Sequence, residues 1–159
     1  MQFRPALAAL VLVVVSGCSL MRPSSSELGA SPQLALEAEQ RRLAELFRGT
    51  PVAVSMQADG SLRLSVPLRY SFDKGRFAVK PPLGAVLERV AKSQRGAATR
   101  LVVAAPADPQ SKGLMLATER ATSARDYMVI RGVDASRFSV SAAGRGDVVI
   151  VVAVEPSAH

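Results

Sequence analysis

Apolar residues recur at helical spacing in one stretch of the chain, residues 116–133. Four of them follow one another at spacings of four, three and four positions: Ala117, Ala121, Ala124 and Met128. This spacing places them on one face of an α-helix, and three of the four side chains are small enough to let that face approach a sheet closely. Gly132 is a typical helix terminator. The pattern predicts an α-helix that packs against a β-sheet.

Alternating or continuous apolar positions predict strands on both sides of this helix. The runs are residues 52–56, 62–66, 101–104, 138–142 and 148–154. Asp59-Gly60 lies between the first two runs and is a strong signal for a hairpin turn. Pro67 ends the second run, and residues 68–72 are expected to lead into a loop.

Two further helices are predicted. Ser31-Pro32 supplies a cap and a first-turn proline for a helix over residues 33–48, and Pro81-Pro82 opens another that extends to about residue 93. The first helix either packs on its own domain or binds a partner helix. From residue 66 the order is strand, helix, strand, helix, strand, strand. It predicts an α+β fold, a two-layer α/β sandwich in which a mixed sheet carries two crossover helices on one face. The N-terminal helix and hairpin precede this unit.

The N-terminal segment carries a different signal. A positive Arg4 precedes ten apolar residues, too few to span a bilayer, and the run ends at Cys18, the only cysteine. The segment resembles a bacterial lipoprotein signal, which implies cleavage after residue 17, a lipid anchor of three acyl chains on Cys18 and, because Ser19 follows, sorting to the outer membrane. An ordinary secretory leader with a chance cysteine is the alternative. Residues 18–31 are serine-rich and are interpreted as a linker.

Composition narrows the possible functions. The net charge of +7 suits acidic lipid head groups, an anionic cell-wall polymer or nucleic acid, but no basic run interleaved with aromatic residues supports nucleic-acid binding. One histidine and one cysteine argue against a transition-metal site. The sequence contains no catalytic triad, phosphate-binding glycine loop or pair of carboxylates at a suitable spacing. We therefore expect a non-enzyme without a cofactor.

Three motifs resemble the OmpA-like C-terminal domain family. Residues 70–75 (YSFDKG) followed by 79–81 (VKP) are similar to the family's FD-x-G…L-x-P opening, and residues 101–103 leading to Asp108 are similar to the strand and loop that carry its aspartate. The helix motif, residues 116–133 (LATERATSARDYMVIRGV), is the most specific match. The resemblance covers roughly residues 62–154. It implies non-covalent binding of peptidoglycan by a domain that spans residues 51–159, after a helical segment over residues 32–50.

The resemblance also implies two ligand-binding residues. Asp108 would accept a hydrogen bond from the ammonium of a diaminopimelate stem peptide, and Arg120 would donate two hydrogen bonds to its carboxylate. The alternatives are that Asp108 shapes a turn with Pro109, and that Arg120 is either a solvated helix arginine or one paired structurally with Asp108. The chain departs from the family where the loop 108–116 is shorter and where Pro106-Ala107 replace glycine and threonine. The connection 144–147 is also shorter and lacks the N-R-R segment with which many family members add a second arginine.

Two functions follow from these observations. The first is an outer-membrane lipoprotein, facing the periplasm, whose OmpA-like domain links the membrane to peptidoglycan. The second is a degenerate OmpA-like domain that acts as a structural subunit of a secretion or transport complex through contacts with envelope proteins. The shortened loop and the N-terminal helix motivate the second possibility.

Overall fold

The computed structural model describes residues 31–110 and 113–156 of the 159-residue chain. The predicted signal peptide, the lipidated Cys18 and the linker up to residue 30 lie outside the described residues. The helices are α1 (Pro32–Leu46), α2 (Leu68–Ser71), α3 (Pro81–Gln94) and α4 (Met115–Val129), with a short 3-10 turn at Ala135–Arg137. The strands are β1 (Ala53–Met56), β2 (Leu62–Val66), β3 (Thr99–Pro106), β4 (Phe138–Ala143) and β5 (Val148–Val154).

The five strands form one mixed sheet in the order β1-β2-β5-β3-β4. β1 and β2 form the predicted antiparallel hairpin, and β5 lies antiparallel between β2 and β3. β3 and β4 are parallel. Helix α3 connects β2 to β3, and α4 connects β3 to β4, so both are crossover connections between parallel strands. The α+β sandwich predicted from the order of elements is confirmed.

One face of the sheet holds the core. Alternate residues of the three central strands are buried and lie in register with one another: Leu62, Leu64, Val66, Leu101, Val103, Ala105, Val148, Ile150 and Val152. The small-residue face of α4 packs on them, with Ala117, Ala121, Ala124 and Met128 all fully buried. The prediction that this helix approaches a sheet closely is confirmed. None of the described helices covers the opposite face of the sheet. Val102 lies on that face and is 39% exposed.

Helix α1 packs on its own domain rather than projecting from it. Its side chains Leu36 and Leu43 join the same core cluster as the sheet, and Gln33 donates a hydrogen bond to the carbonyl of Gly60 in the β1–β2 turn. Ser31 caps the helix by accepting a hydrogen bond from the N–H of Leu34. Of the two alternatives for the N-terminal helix, packing on its own domain is therefore the one observed. Its last helical residue is Leu46 rather than Arg48.

One short element was not predicted from the sequence. Residues 68–72 lead into a loop as expected, but Leu68–Ser71 form a single helical turn before it. The hydroxyl of Ser71 is fully buried and donates to the carbonyls of Val66 and Pro67, which closes the turn onto the end of β2. None of the helices among the described residues is long and apolar enough to cross a membrane.

Candidate functional site

The FD-x-G motif forms a tight turn beside the C-terminal end of β3. Arg76 N–H donates to the carbonyl of Asp73 at 3.0 Å, and Gly75 adopts a φ of 68°, which a side chain would disfavour. Through this turn the backbone presents two carbonyls and one N–H group to the same side. The motif is therefore a hydrogen-bonding surface made from main-chain atoms.

Arg120 occupies the space that this surface encloses. Its guanidinium donates to the carbonyls of Asp73 (3.1 Å), Arg76 (2.9 Å) and Pro106 (2.9 Å). It also forms an ion pair with Asp108, with 2.7 Å between Nη2 and Oδ1. The Phe72 ring lies 5.3 Å from the guanidinium carbon and adds a cation–π contact. Arg120 is fully buried, so it holds three chain segments together from inside the domain.

Asp108 lies at the outer end of this network. Its Oδ1 accepts from Arg120 and its Oδ2 accepts from the N–H of Gly75 at 2.6 Å, while 13% of the side chain remains exposed. Burial acts to raise the pKa of Asp108. The hydrogen bonds from Arg120 and Gly75, together with attraction to Arg120 and Lys74, outweigh burial and lower the pKa below its ordinary value. Asp108 is thus an ionised carboxylate held in one orientation.

A surface depression of about 430 Å³ adjoins Asp108. Its lining residues are Leu68, Arg69, Phe72, Lys74, Asp108, Pro109 and Gln110. Arg120 is absent from this lining, because it lies behind Asp108 and the turn. The structure brings the two predicted residues together but gives them unequal access to solvent. Their assignment to a ligand stays a prediction.

The ion pair of Arg120 with Asp108 was among the alternatives from the sequence, but the backbone partners of Arg120 and the other charges at the depression were not predicted. Three of the four acceptors are backbone carbonyls, which carry no side-chain signal. The exposed Arg69 and Lys74 resembled ordinary surface residues, although Lys74 lies inside the FD-x-G motif and was a usable clue. No group of metal-ligating side chains occurs among residues 31–110 and 113–156.

Comparison with known proteins rests on structure. No family model and no curated protein matches the chain. The cell wall anchor of the T6SS from Pseudomonas aeruginosa superposes with a TM-score of 0.61 at 20% identity, covering 72% of this chain and 96% of that chain. A MotB-like protein from Desulfovibrio vulgaris gives a TM-score of 0.63 at 13% identity, covering 77% and 94% respectively.

The periplasmic domain of Helicobacter pylori MotB adds a third neighbour, with a TM-score of 0.54 at 18% identity and coverage of 65% of this chain and 87% of that chain. The chain has the OmpA-like fold. The predicted fold class is confirmed, and the absence of enzymatic activity stays a prediction.

Proposed function

We propose that this chain is an envelope protein whose OmpA-like domain binds peptidoglycan non-covalently and so links the cell wall to a membrane. The observation that carries the proposal is Asp108, an ionised carboxylate that is fixed in orientation and borders a solvent-accessible depression. The fold is shared with a Pseudomonas aeruginosa protein described as a cell wall anchor, almost all of which is covered by the superposition.

The chemistry of the site suits the free end of diaminopimelate, which carries one ammonium and one carboxylate. Both oxygens of Asp108 already accept one hydrogen bond, but an ionised carboxylate has about four lone-pair sites. It therefore retains capacity to accept from a ligand ammonium. A charge-assisted bond of this kind is among the stronger hydrogen bonds in proteins.

In this proposal Arg120 acts mainly by holding Asp108 and the turn of residues 73–76. Four of the five N–H donors of its guanidinium are already bonded, to three backbone carbonyls and to Asp108, so a two-bond contact with a ligand carboxylate requires the ligand to displace one of these acceptors. Such an exchange would also require movement of the turn, since Arg120 is fully buried. The carboxylate of Asp108 is the ligand-binding group that needs no rearrangement.

We further propose that Cys18 carries the lipid anchor and that the domain faces the periplasm from the outer membrane. A lipid-modified cysteine with three acyl chains provides firm anchoring, because a single chain gives only marginal binding. Labelling cells with radioactive palmitate tests the anchor: the full chain should incorporate label, and the Cys18→Ser variant should not. Equal labelling of both variants would reject lipidation at Cys18.

Binding to the wall is tested by sedimentation with purified sacculi. The full chain, solubilised in mild detergent, should pellet with sacculi that contain diaminopimelate and should return to the supernatant when free diaminopimelate is added. A chain that stays in the supernatant with sacculi would contradict the proposed function.

A structural role in an envelope complex is the second candidate, and the burial of Arg120 favours it. If the guanidinium serves only the fold, the domain has one charged ligand group fewer than the family resemblance implies. Crosslinking in cells separates the two functions. Abundant adducts with envelope proteins and no wall-associated fraction would favour the structural role.

A further inference from the structure

Two exposed cations share the depression with Asp108. Arg69 lies on α2, and its guanidinium carbon stands 4.8 Å from the centre of the Tyr70 ring, a contact that restricts where the side chain points. Lys74 is the second residue of the tight turn, and its ammonium is close enough to favour the ionised form of Asp108. Both side chains line the depression.

The charges around the depression do not cancel. Asp108 is paired with the buried Arg120, and Asp73 is paired with Lys80 at 3.0 Å. Within the described residues, neither Arg69 nor Lys74 forms an ion pair. Two positive charges that face solvent therefore remain beside one oriented carboxylate, and the buried guanidinium cannot serve as the anion-binding group without rearrangement.

We propose that Arg69 and Lys74 bind the carboxylate of the ligand's amino-acid end, in place of the arginine that the family resemblance assigns to this role. This inference rests on the proposed function and deepens it, because it identifies a pair of specificity-determining residues at the same site. Asp108 then binds the ammonium of the same end, so that the depression recognises a zwitterion. The guanidinium of Arg69 and the ammonium of Lys74 then take the place of the two hydrogen bonds that Arg120 of α4 would donate to the carboxylate.

The double variant Arg69→Gln/Lys74→Gln tests the inference. It removes two charges but keeps side chains of comparable length, and both residues are exposed, so folding should be retained. Arg89→Gln/Lys92→Gln is the matched control, because it removes the same net charge from exposed positions of α3 that do not line the depression. This control separates local binding from a general electrostatic attraction to the wall.

Calorimetric titration of the full chain in detergent would use three probes: meso-diaminopimelate, 1,5-diaminopentane, which lacks both carboxylates, and inorganic phosphate. We expect the double variant to bind diaminopimelate at least tenfold more weakly than wild type, and the control to remain within about twofold. Neither 1,5-diaminopentane nor phosphate should bind measurably. Equal affinity of the double variant and the control would overturn the inference, as would phosphate or the diamine binding as tightly as diaminopimelate.

Sedimentation of the same variants with sacculi distinguishes failure of the inference from failure of the proposed function. If both double variants pellet like wild type, the inference is wrong and the wall-binding function stands. If wild type does not pellet but binds diaminopimelate through Arg69 and Lys74, the carboxylate site stands and the wall-binding function is wrong.

Discussion

Arg120 and Asp108 form an ion pair in which the two partners have opposite positions relative to solvent. Nη2 and Oδ1 are 2.7 Å apart, the arginine is fully buried, and 13% of the aspartate side chain is exposed. Burying a guanidinium costs several kcal/mol unless its donors are satisfied, and three backbone carbonyls provide that satisfaction here. The arginine thus stabilises the turn of residues 73–76 and the end of β3 from inside the domain, and the aspartate presents its charge at the surface.

Removal of Arg120 should destabilise the domain strongly. Arg120→Ala leaves the buried carbonyl of Pro106 and the partly buried carbonyls of Asp73 and Arg76 without their donor, and Asp108 keeps only its hydrogen bond from Gly75. Breaking a buried pair in this way costs about 3–5 kcal/mol. Urea unfolding followed by circular dichroism measures the change. The control Arg125→Ala removes an arginine that is 34% exposed and whose partner is the adjacent Asp126, and it should cost about 1 kcal/mol or less. Equal losses of unfolding free energy in the two variants would contradict a stabilising role of Arg120 inside the domain.

Asp108 should make stability depend on pH in a defined direction. Its folded-state pKa is lowered, so the unfolded chain takes up a proton first on acidification, and the stabilisation present above the ordinary aspartate pKa of about 4 is lost as pH falls through the folded value. Asp108→Asn should cost about 1–3 kcal/mol at pH 7.

The difference between wild type and Asp108→Asn should shrink as the pH falls below about 4. Asp59 and Asp134, whose pKa values are lowered by hydrogen bonds from Ser61 and Ser136, are present in both proteins and cancel in the comparison. Urea unfolding at a series of pH values measures the difference. A gap that stays constant down to pH 2 would contradict the lowered pKa.

Close packing between α3 and α4 depends on Gly84. A Cβ added at Gly84 would stand 2.8 Å from the Tyr127 hydroxyl oxygen and 3.2 Å from the ring carbon that bears it. We expect Gly84→Ala to lower the free energy of unfolding by about 1–3 kcal/mol because of overpacking, although alanine is the better helix former. Tyr127→Phe removes the closest atom, so the double variant should recover part of the loss. A double-mutant cycle by chemical denaturation measures this coupling, and strictly additive effects would exclude it.

Much of the fold was predictable because its long elements carry strong periodic signals. The alanine face of α4 identified the helix and its buried side, and Asp59-Gly60 identified the β1–β2 hairpin. The four-residue helix α2 was missed since one turn is too short to show a helical period. Its stabilising contact, the buried hydroxyl of Ser71 bonded to two carbonyls, is also invisible in a pattern of apolar positions.

The site was less predictable than the fold. The motifs that contain Asp108 and Arg120 indicated which residues to examine, but the burial of Arg120 depends on carbonyls from separate segments that only the folded chain brings together. Helical periodicity alone does not decide whether a charged side chain of α4 is buried in the domain or lies in solvent. The contribution of Arg69 depends on α2, the element that the sequence did not reveal.

Equilibrium binding of the full chain to purified sacculi, measured for wild type, Asp108→Asn and the control Asp126→Asn, tests the central claim most directly. Asp126 is half-exposed on α4 and pairs with its neighbour Arg125. With all three proteins shown to be folded by circular dichroism, wild type and Asp126→Asn should bind with equal affinity. Asp108→Asn should bind at least tenfold more weakly, a loss of about 1.4 kcal/mol. Indistinguishable affinities for all three would contradict binding of the wall through Asp108.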